Sequence, residues 1–512
     1  MKGTTLLTGV FISILLTGSS IYISLKLGAL PWPAIFCAII AYTLLRNRDL
    51  REINIAEAGG TTGALVGAAA AFTLPAIWFM NESITLMDAL TFSIVLLLAS
   101  LTGIFLSSSL REKLLDSLPF PEGQATAEML RSMKVRRSFF VALSLAGIFA
   151  LLRDLYIPRG YMVSFLGITL VFAPLLMGVG GGYIMGKKTS FSWFGGAILG
   201  WIILEPFLGI SGSMVQNMGL GILLGSSIGF LASFVAKTKF SRTSMALAMI
   251  SFFVLTLIGL NPLASFLAVA AGHLFAMVAF RMTGETNVDP LEQFGLVTGV
   301  IIFSLFTLLD FTIPLIELFI PILFVSCLAA VCGDIGHDFK AAAILGTDSR
   351  EIVKMEVVST IAASVVAPIF LMIIYRAYAP QFFTSELPAP QAQMVAKSLF
   401  GYEHPAIFLL SFVFAFFAQF LLKDRFLSLP ALGIGAFLNL NLGILFFAGG
   451  MWRLMDERRG VVDIGIPSAL LAGEGLAGFA SAIMIVIGVP VPYAVFTFVL
   501  VFLLIFIKKI KP

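Results

Sequence analysis

The sequence predicts an all-α polytopic membrane protein of about sixteen transmembrane helices, built as two repeated halves with broken or re-entrant segments. Three observations carry this prediction. First, apolar residues fill 59% of 512 positions and charged residues only 12%. A soluble domain carries roughly 25% charged residues, so this chain has about half the charge that a water-facing surface needs. Second, apolar runs separated by Gly, Pro or charge recur along the whole chain. Sixteen helices of about 20 residues each would use ~320 positions, which leaves almost nothing for a soluble domain. Third, a polar motif in the first half returns in the second.

The runs fall, in order, at 5–27, 30–45, 57–80, 88–110, 138–152, 161–186, 190–209 and 219–236. The second half gives 243–260, 262–281, 294–309, 312–332, 353–376, 405–422, 428–450, 464–487 and 491–507. The first run follows Lys2 and resembles a signal peptide, but it continues to about Leu27, longer than an h-region, with no A-x-A cleavage site after it. It reads as the first transmembrane helix. Only Asp310 and Phe311 separate 294–309 from 312–332, so one of that pair is read as a half-helix or re-entrant segment and the total as sixteen.

Orientation follows from the excess of Lys and Arg in cytoplasmic loops. A cytoplasmic N-terminus puts Arg46, Arg48 and Arg51, then Arg111, Lys113, Arg131, Lys134, Arg136 and Arg137, on the inside. Lys187, Lys188, Lys237, Lys239 and Arg242 follow on the same side, while Lys26, Arg153 and Arg159 are exceptions. Arg453, Arg458 and Arg459 blur the pattern later; an even helix count brings Lys508, Lys509 and Lys511 inside.

The repeat pairs Leu118-Pro-Phe-Pro-Glu-Gly-Gln-Ala-Thr-Ala with Leu387-Pro-Ala-Pro-Gln-Ala-Gln-Met-Val-Ala at one offset. A weaker echo pairs Phe72-Thr-Leu-Pro75 with Phe311-Thr-Ile-Pro314. The natural division is 1–240 and 241–512, two halves of about eight helices. Internally repeated many-helix membrane proteins are mostly transporters whose substrate binds between the halves.

Backbone left unpaired in lipid is costly, so Gly and Pro inside apolar runs mark special places. Three stretches have this character: 54–80 with Glu57, Gly59-Gly60 and Pro75; 177–186; and 465–479, where Glu474 lies between Gly473 and Gly475. They read either as discontinuous helices aimed at a substrate or as close small-residue packing. Acids at membrane depth, each costing at least ~2.5 kcal/mol, are Glu57, Glu205, Glu317, Glu356 and Glu474. Glu57 and Glu474, beside glycines, are candidates for carrying a proton. Asp334, His337, Asp338 and Lys340 form the densest polar cluster directly after an apolar helix, readable as a proton relay or gate, or as a solvated loop. Glu122 with Gln124, and Gln391 with Gln393, are expected as symmetry-related parts of the translocation path.

Other chemistries find little support. Cys37, Cys327 and Cys332 form no disulfide framework, and the five-residue steps from Cys327 to Cys332 to His337 do not hold one helix face for a metal. Gly181 to Lys187 imitates a nucleotide-binding loop, but Lys188 stands where Ser or Thr is required. Neither a basic nucleic-acid footprint, a cofactor nor a resident metal is expected. An intramembrane enzyme acting on lipid would cluster its polar residues on one membrane face, whereas here they lie in both halves. A channel is disfavoured by the lack of a selectivity-filter-like repeat.

Several segments together resemble the oligopeptide transporter (OPT) family, including its yellow-stripe-like branch. They are Leu118-Pro-Phe-Pro-Glu-Gly with Ala127-Glu128, Gly284-Glu285-Thr286-Asn287 with Pro290, Gly333 to Lys340 with Gly346, Pro388 to Ala392, and Gly473-Glu474. The resemblance runs in order from about residue 54 to 480. It implies a secondary transporter in the cell membrane that couples proton entry to uptake of small peptides or metal-chelate complexes, with homo-oligomerisation left open. The chain is shorter than eukaryotic members and lacks their long hydrophilic N-terminal region.

Overall fold

The computed structural model of the protein describes residues 1–29, 33–45, 48–132, 137–156, 161–165, 168–172, 174–235, 242–286, 291–384, 386–400, 403–422, 426–438 and 440–488. The expected helix 491–507, the bases Arg46, Lys134, Arg136, Arg159, Lys237, Lys239, Lys508, Lys509 and Lys511, and Asn287 and Pro290 lie outside the described residues.

The chain opens with α1 (Gly3–Leu27), α2 (Pro33–Leu44), α3 (Leu50–Thr73), α4 (Pro75–Phe79), α5 (Leu86–Leu114), α6 (Pro121–Ser132) and α7 (Arg137–Tyr156). A hairpin of β1 (Tyr161–Phe165) and β2 (Ile168–Phe172) precedes α8 (Leu176–Ile198), which runs into a π-helix at Leu199–Phe207. Then come α9 (Gly212–Val235), α10 (Arg242–Leu257), α11 (Pro262–Thr286), α12 (Leu291–Leu308), α13 (Leu315–Leu345) and α14 (Ser349–Tyr378). After a 3-10 turn at Ala379–Gln381 the chain continues as α15 (Pro390–Phe400), α16 (Pro405–Leu422), α17 (Leu429–Phe437), α18 (Leu440–Arg459) and α19 (Gly465–Val486).

Nine helical stretches among the described residues are long and apolar enough to cross a bilayer. α12 and α13 are both among them, so neither is the half-helix expected of that pair. The outer helices turn apolar stripes outward: Met245, Met249, Phe253 and Leu257 on α10, and Leu410, Phe414, Phe417 and Leu421 on α16, are all exposed. Such stripes, three or four residues apart along one helix face, suit hydrocarbon and not water.

Two expectations are corrected, and two readings that the sequence left open are decided. Residues 161–172 form an antiparallel hairpin, Tyr161 opposite Phe172 and Phe165 opposite Ile168, so 161–186 is not one helix. Val163, Ile168, Thr169 and Val171 favour extended backbone, and the helix starts only after Pro174. Within 428–450 the chain divides into α17 and α18. The glycines of 54–80 and 465–479 do not break their helices: α3 runs through Gly59-Gly60 and stops before Pro75, and α19 runs through Gly473 and Gly475. Of the three glycine-rich stretches only 177–186 breaks, at Gly186, whose φ of 81° turns the chain inside α8. Finally, Asp334 to Lys340 is no solvated loop, because α13 continues through it to Leu345 with His337 and Asp338 buried.

The glycines of α3 instead admit a neighbour. A Cβ on Gly63 would meet the Ser13 backbone of α1, and one on Gly67 would meet that of Thr17. The Thr17 hydroxyl donates to the Gly63 carbonyl at 3.1 Å across this contact. Close approach through small residues is how helices associate where lipid competes with every apolar side chain.

The centre is made of two parallel pairs. α3, continued by α4, runs alongside α14, with Gly59 beside Ser359 and Trp78 of α4 stacked on Tyr375 at 3.8 Å. α5 runs alongside α13, with Ser100 3.2 Å from Cys327 and the Arg111 guanidinium 5.0 Å from the Phe339 ring. Short connections make α5 reverse α3 and α14 reverse α13, so the consecutive pairs α3–α5 and α13–α14 have opposite sense. Further out, α7 packs on α19 and α9 on α16.

Candidate functional site

The two copies of the Leu-Pro-x-Pro motif end in short helices, α6 and α15, that are built alike. Phe120 and Ala389, just ahead of them, both have positive φ, 45° and 41°. Left-handed backbone at a residue other than glycine is uncommon and costs energy, so its recurrence at matched positions marks a shared construction. The Gln124 amide donates to the Pro119 carbonyl at 2.6 Å, and the Gln393 amide to that of Pro388 at 2.6 Å. The Phe120 N–H donates to Gly284 of α11 at 2.9 Å, and the Ala389 N–H to Leu25 of α1 at 2.8 Å. Each short helix therefore hangs from the first long helix of the opposite part of the chain.

α6 is held down further by α13. Lys340 donates to the carbonyls of Leu115 (3.1 Å) and Leu118 (3.0 Å), and Arg131 to that of Ile344. The Phe120 ring lies edge-on to His337 and Phe280, in space that a Cβ on Gly284 or Gly336 would fill. The Gly123 N–H donates to His337 Nδ1 at 3.2 Å. A nitrogen that accepts carries no proton, so the neutral ring keeps its proton on Nε2.

Against this assembly lie the acids. Glu57 (α3), Glu122 (α6), Asp338 (α13) and Glu356 (α14) are fully buried, with Asp334 half-buried beside them. Asp338 is within electrostatic reach of all four others. Asn54 donates to Glu57 at 2.9 Å and Thr61 at 3.3 Å, both from the same face of α3. Glu122 accepts the Ala34 N–H of α2 at 3.0 Å. Among the described residues, neither carboxyl oxygen of Glu356 has a hydrogen-bond partner, and those of Asp338 meet only the carboxyl of Glu57. A buried acceptor left unmatched is costly, and a proton on one carboxyl supplies the missing donor to the next.

Glu474 sits elsewhere. One oxygen pairs with Arg153 of α7 and the other accepts the Met177 N–H at 2.7 Å, at the start of α8. Arg153 also donates to the Pro174 carbonyl at 3.2 Å. This explains one exception in the loop charges: Arg153 is a buried ion-pair partner. Lys26 is likewise buried, 5.7 Å from the centre of the Tyr22 ring.

Glu57, Glu122, Asp334, His337 and Asp338 are thus brought into one cluster, with Glu356 added from the wider set of acids. Gln124 and Gln393 clasp their own turns. Gln391, matched to Glu122 in the repeat, donates to the Gly28 carbonyl at 2.7 Å and to Glu292 at 3.3 Å. Glu474 is not in the cluster. Sequence reasoning missed Asn54, Thr61 and Glu292. The first two stand three before and four after Glu57, the spacing that puts them on its helix face; Glu292 had no such signal.

The stacked apolar helices, with an acid cluster enclosed among them, are those of a polytopic membrane protein. The chain belongs to the OPT oligopeptide transporter family, whose family model matches residues 4–221 and 231–485. This is a family of transporters and not of enzymes. No curated protein matches the chain in sequence.

Proposed function

We propose that the protein is a proton-coupled symporter that moves small peptides or metal-chelate complexes across the cell membrane by alternating access, with its N-terminus cytoplasmic. The observation that carries this reading is the cluster of Glu57, Glu122, Asp338 and Glu356, enclosed together with Asp334 at its edge. Like charges this crowded in a poorly polarisable interior repel strongly, so the cluster cannot be fully ionised and holds protons. A site that holds several protons and opens alternately to two sides carries them across.

The helix pairings support two repeated halves. Exchanging α3 with α13 and α5 with α14 maps the two parallel pairs onto each other, and exchanging α7 with α16 and α9 with α19 does the same for the outer contacts. The opposite sense of α3–α5 and α13–α14 fits an inverted repeat, a common transporter architecture. The matched bonds to Leu25 and Gly284 relate α1 to α11. On that correspondence we propose moving the division from 240/241 to just before α11, so that α10 closes the first half, and retain about sixteen helices in total.

The test is uptake into proteoliposomes, comparing short peptides with chelated transition metals. An inward proton gradient is expected to drive accumulation and a protonophore to abolish it. Accumulation indifferent to both would remove the proton from the mechanism.

A further inference from the structure

We propose that Glu122 is the residue through which a proton sets how firmly α6 holds α2, and that Gln391 fills the matching place on α15 with a side chain that does not itself titrate. This rests on the reading of the protein as a proton-coupled transporter. α6 and α15 share a positive-φ entry, a Gln clasp and a backbone bond to the opposite half. Against that shared frame one position differs in chemistry. Glu122 and Gln391 are equal in length and shape, but only the first can lose a proton.

Both side chains work at the start of the second helix of their half. Glu122 accepts the Ala34 N–H at the start of α2. That N–H points at the carboxyl, and the helix dipole favours a negative charge. An ionised Glu122 grips α2 by a charge-assisted bond; a protonated one accepts weakly and lets the contact go. Gln391 donates to Gly28 and to Glu292 at the start of α12, and its own charge never changes.

The groups around Glu122 set this balance. Cys37 faces it from α2, Glu57 from α3, and Asp334 and Asp338 from α13. His337 is occupied by Gly123, and Lys340 by Leu115 and Leu118. On α11, Arg281 and Glu285 pair with each other at 3.1 Å. On α6 itself Glu128 is exposed and Arg131 is bound to Ile344. The surrounding acids oppose ionisation of Glu122 and α2 favours it, so a proton gained or lost at this one carboxyl changes the grip on α2.

The test compares wild type, Glu122→Gln and Gln391→Glu in proteoliposomes, using trialanine or a zinc–histidine chelate, whichever the wild type accumulates. Glu122→Gln is expected to lose stimulation by a proton gradient while retaining exchange of labelled for unlabelled substrate. Gln391→Glu is expected to make uptake more steeply dependent on pH, because a titrating carboxyl then stands at both matched positions. It also decides the matter if Glu122→Gln does not fold. Wild-type stimulation in Glu122→Gln, or an unchanged pH profile in Gln391→Glu, would overturn the proposal. A wild type indifferent to the gradient would instead overturn the coupling on which it rests.

Discussion

Arg153 on α7 and Glu474 on α19 form an ion pair that is buried on both sides, and the second oxygen of Glu474 holds the N-terminus of α8. One carboxylate therefore ties three helices together. Breaking a buried pair by removing one partner leaves an uncompensated charge and costs about 3–5 kcal/mol. Glu474→Gln is expected to destabilise the protein by that amount in thermal unfolding in detergent. The double variant Glu474→Gln with Arg153→Met is expected to recover part of the loss, since no lone charge remains. A single variant as stable as the wild type would show that the pair holds nothing.

In the acid cluster the expected sign is opposite. Asp338 finds no donor among the described residues other than the carboxyl of Glu57, against which it lies. Asp338→Asn removes a repelling charge and supplies an amide donor. It is expected to raise thermal stability by about 1–2 kcal/mol while reducing gradient-driven uptake, the trade expected where function keeps a strained site. Loss of stability together with unchanged uptake would contradict this assignment.

The packing of α1 on α3 gives a third expectation. Gly67→Val would drive a side chain into the Thr17 backbone, and overpacking of this kind costs on the order of 1–3 kcal/mol. Gly3→Ala, which meets nothing within 4 Å, is the control and is expected to leave the unfolding temperature unchanged. Equal behaviour of the two variants would remove close glycine packing as the reason for the α3 pattern.

The entry to α15 can be checked with two alanines. Ala389 has a φ of 41° and Ala392 lies in the helix, both buried. Ala→Gly at either removes a buried methyl and adds freedom to the unfolded chain, but at 389 it also relieves left-handed strain of about 1–2 kcal/mol. Ala389→Gly is expected to be near neutral and Ala392→Gly to cost about 1–2 kcal/mol. Equal losses in denaturant unfolding would argue against strain at the motif.

What could be read in advance follows from how local each signal is. Hydropathy placed most helices because a membrane span is a property of consecutive residues. Runs 5–27 and 88–110 lie within α1 and α5, and 464–487 overshoots α19 by one residue at each end. The Leu-Pro-x-Pro repeat pointed to paired segments, and matched residues build matched turns there, but the short helices after them carry no hydropathy signal of their own. The hairpin at Tyr161–Phe172 was misread because an apolar strand and an apolar helix segment have the same hydropathy. The glycines were ambiguous for a related reason: whether Gly60 breaks a helix or admits Cys37 depends on whether another helix is there to fill the space.

By itself, then, the sequence determined a membrane-embedded helical chain, a repeated proline motif and a short set of acids too deep to be decorative. Only the tertiary structure decided their partners. It set Glu57, Glu122, Asp338 and Glu356 against one another and gave Glu474 to Arg153. The physical reason is range. Helix formation and membrane burial are decided by neighbours along the chain, whereas the fate of a buried charge is decided by what packing brings beside it. For Glu474 that is a residue 321 positions away.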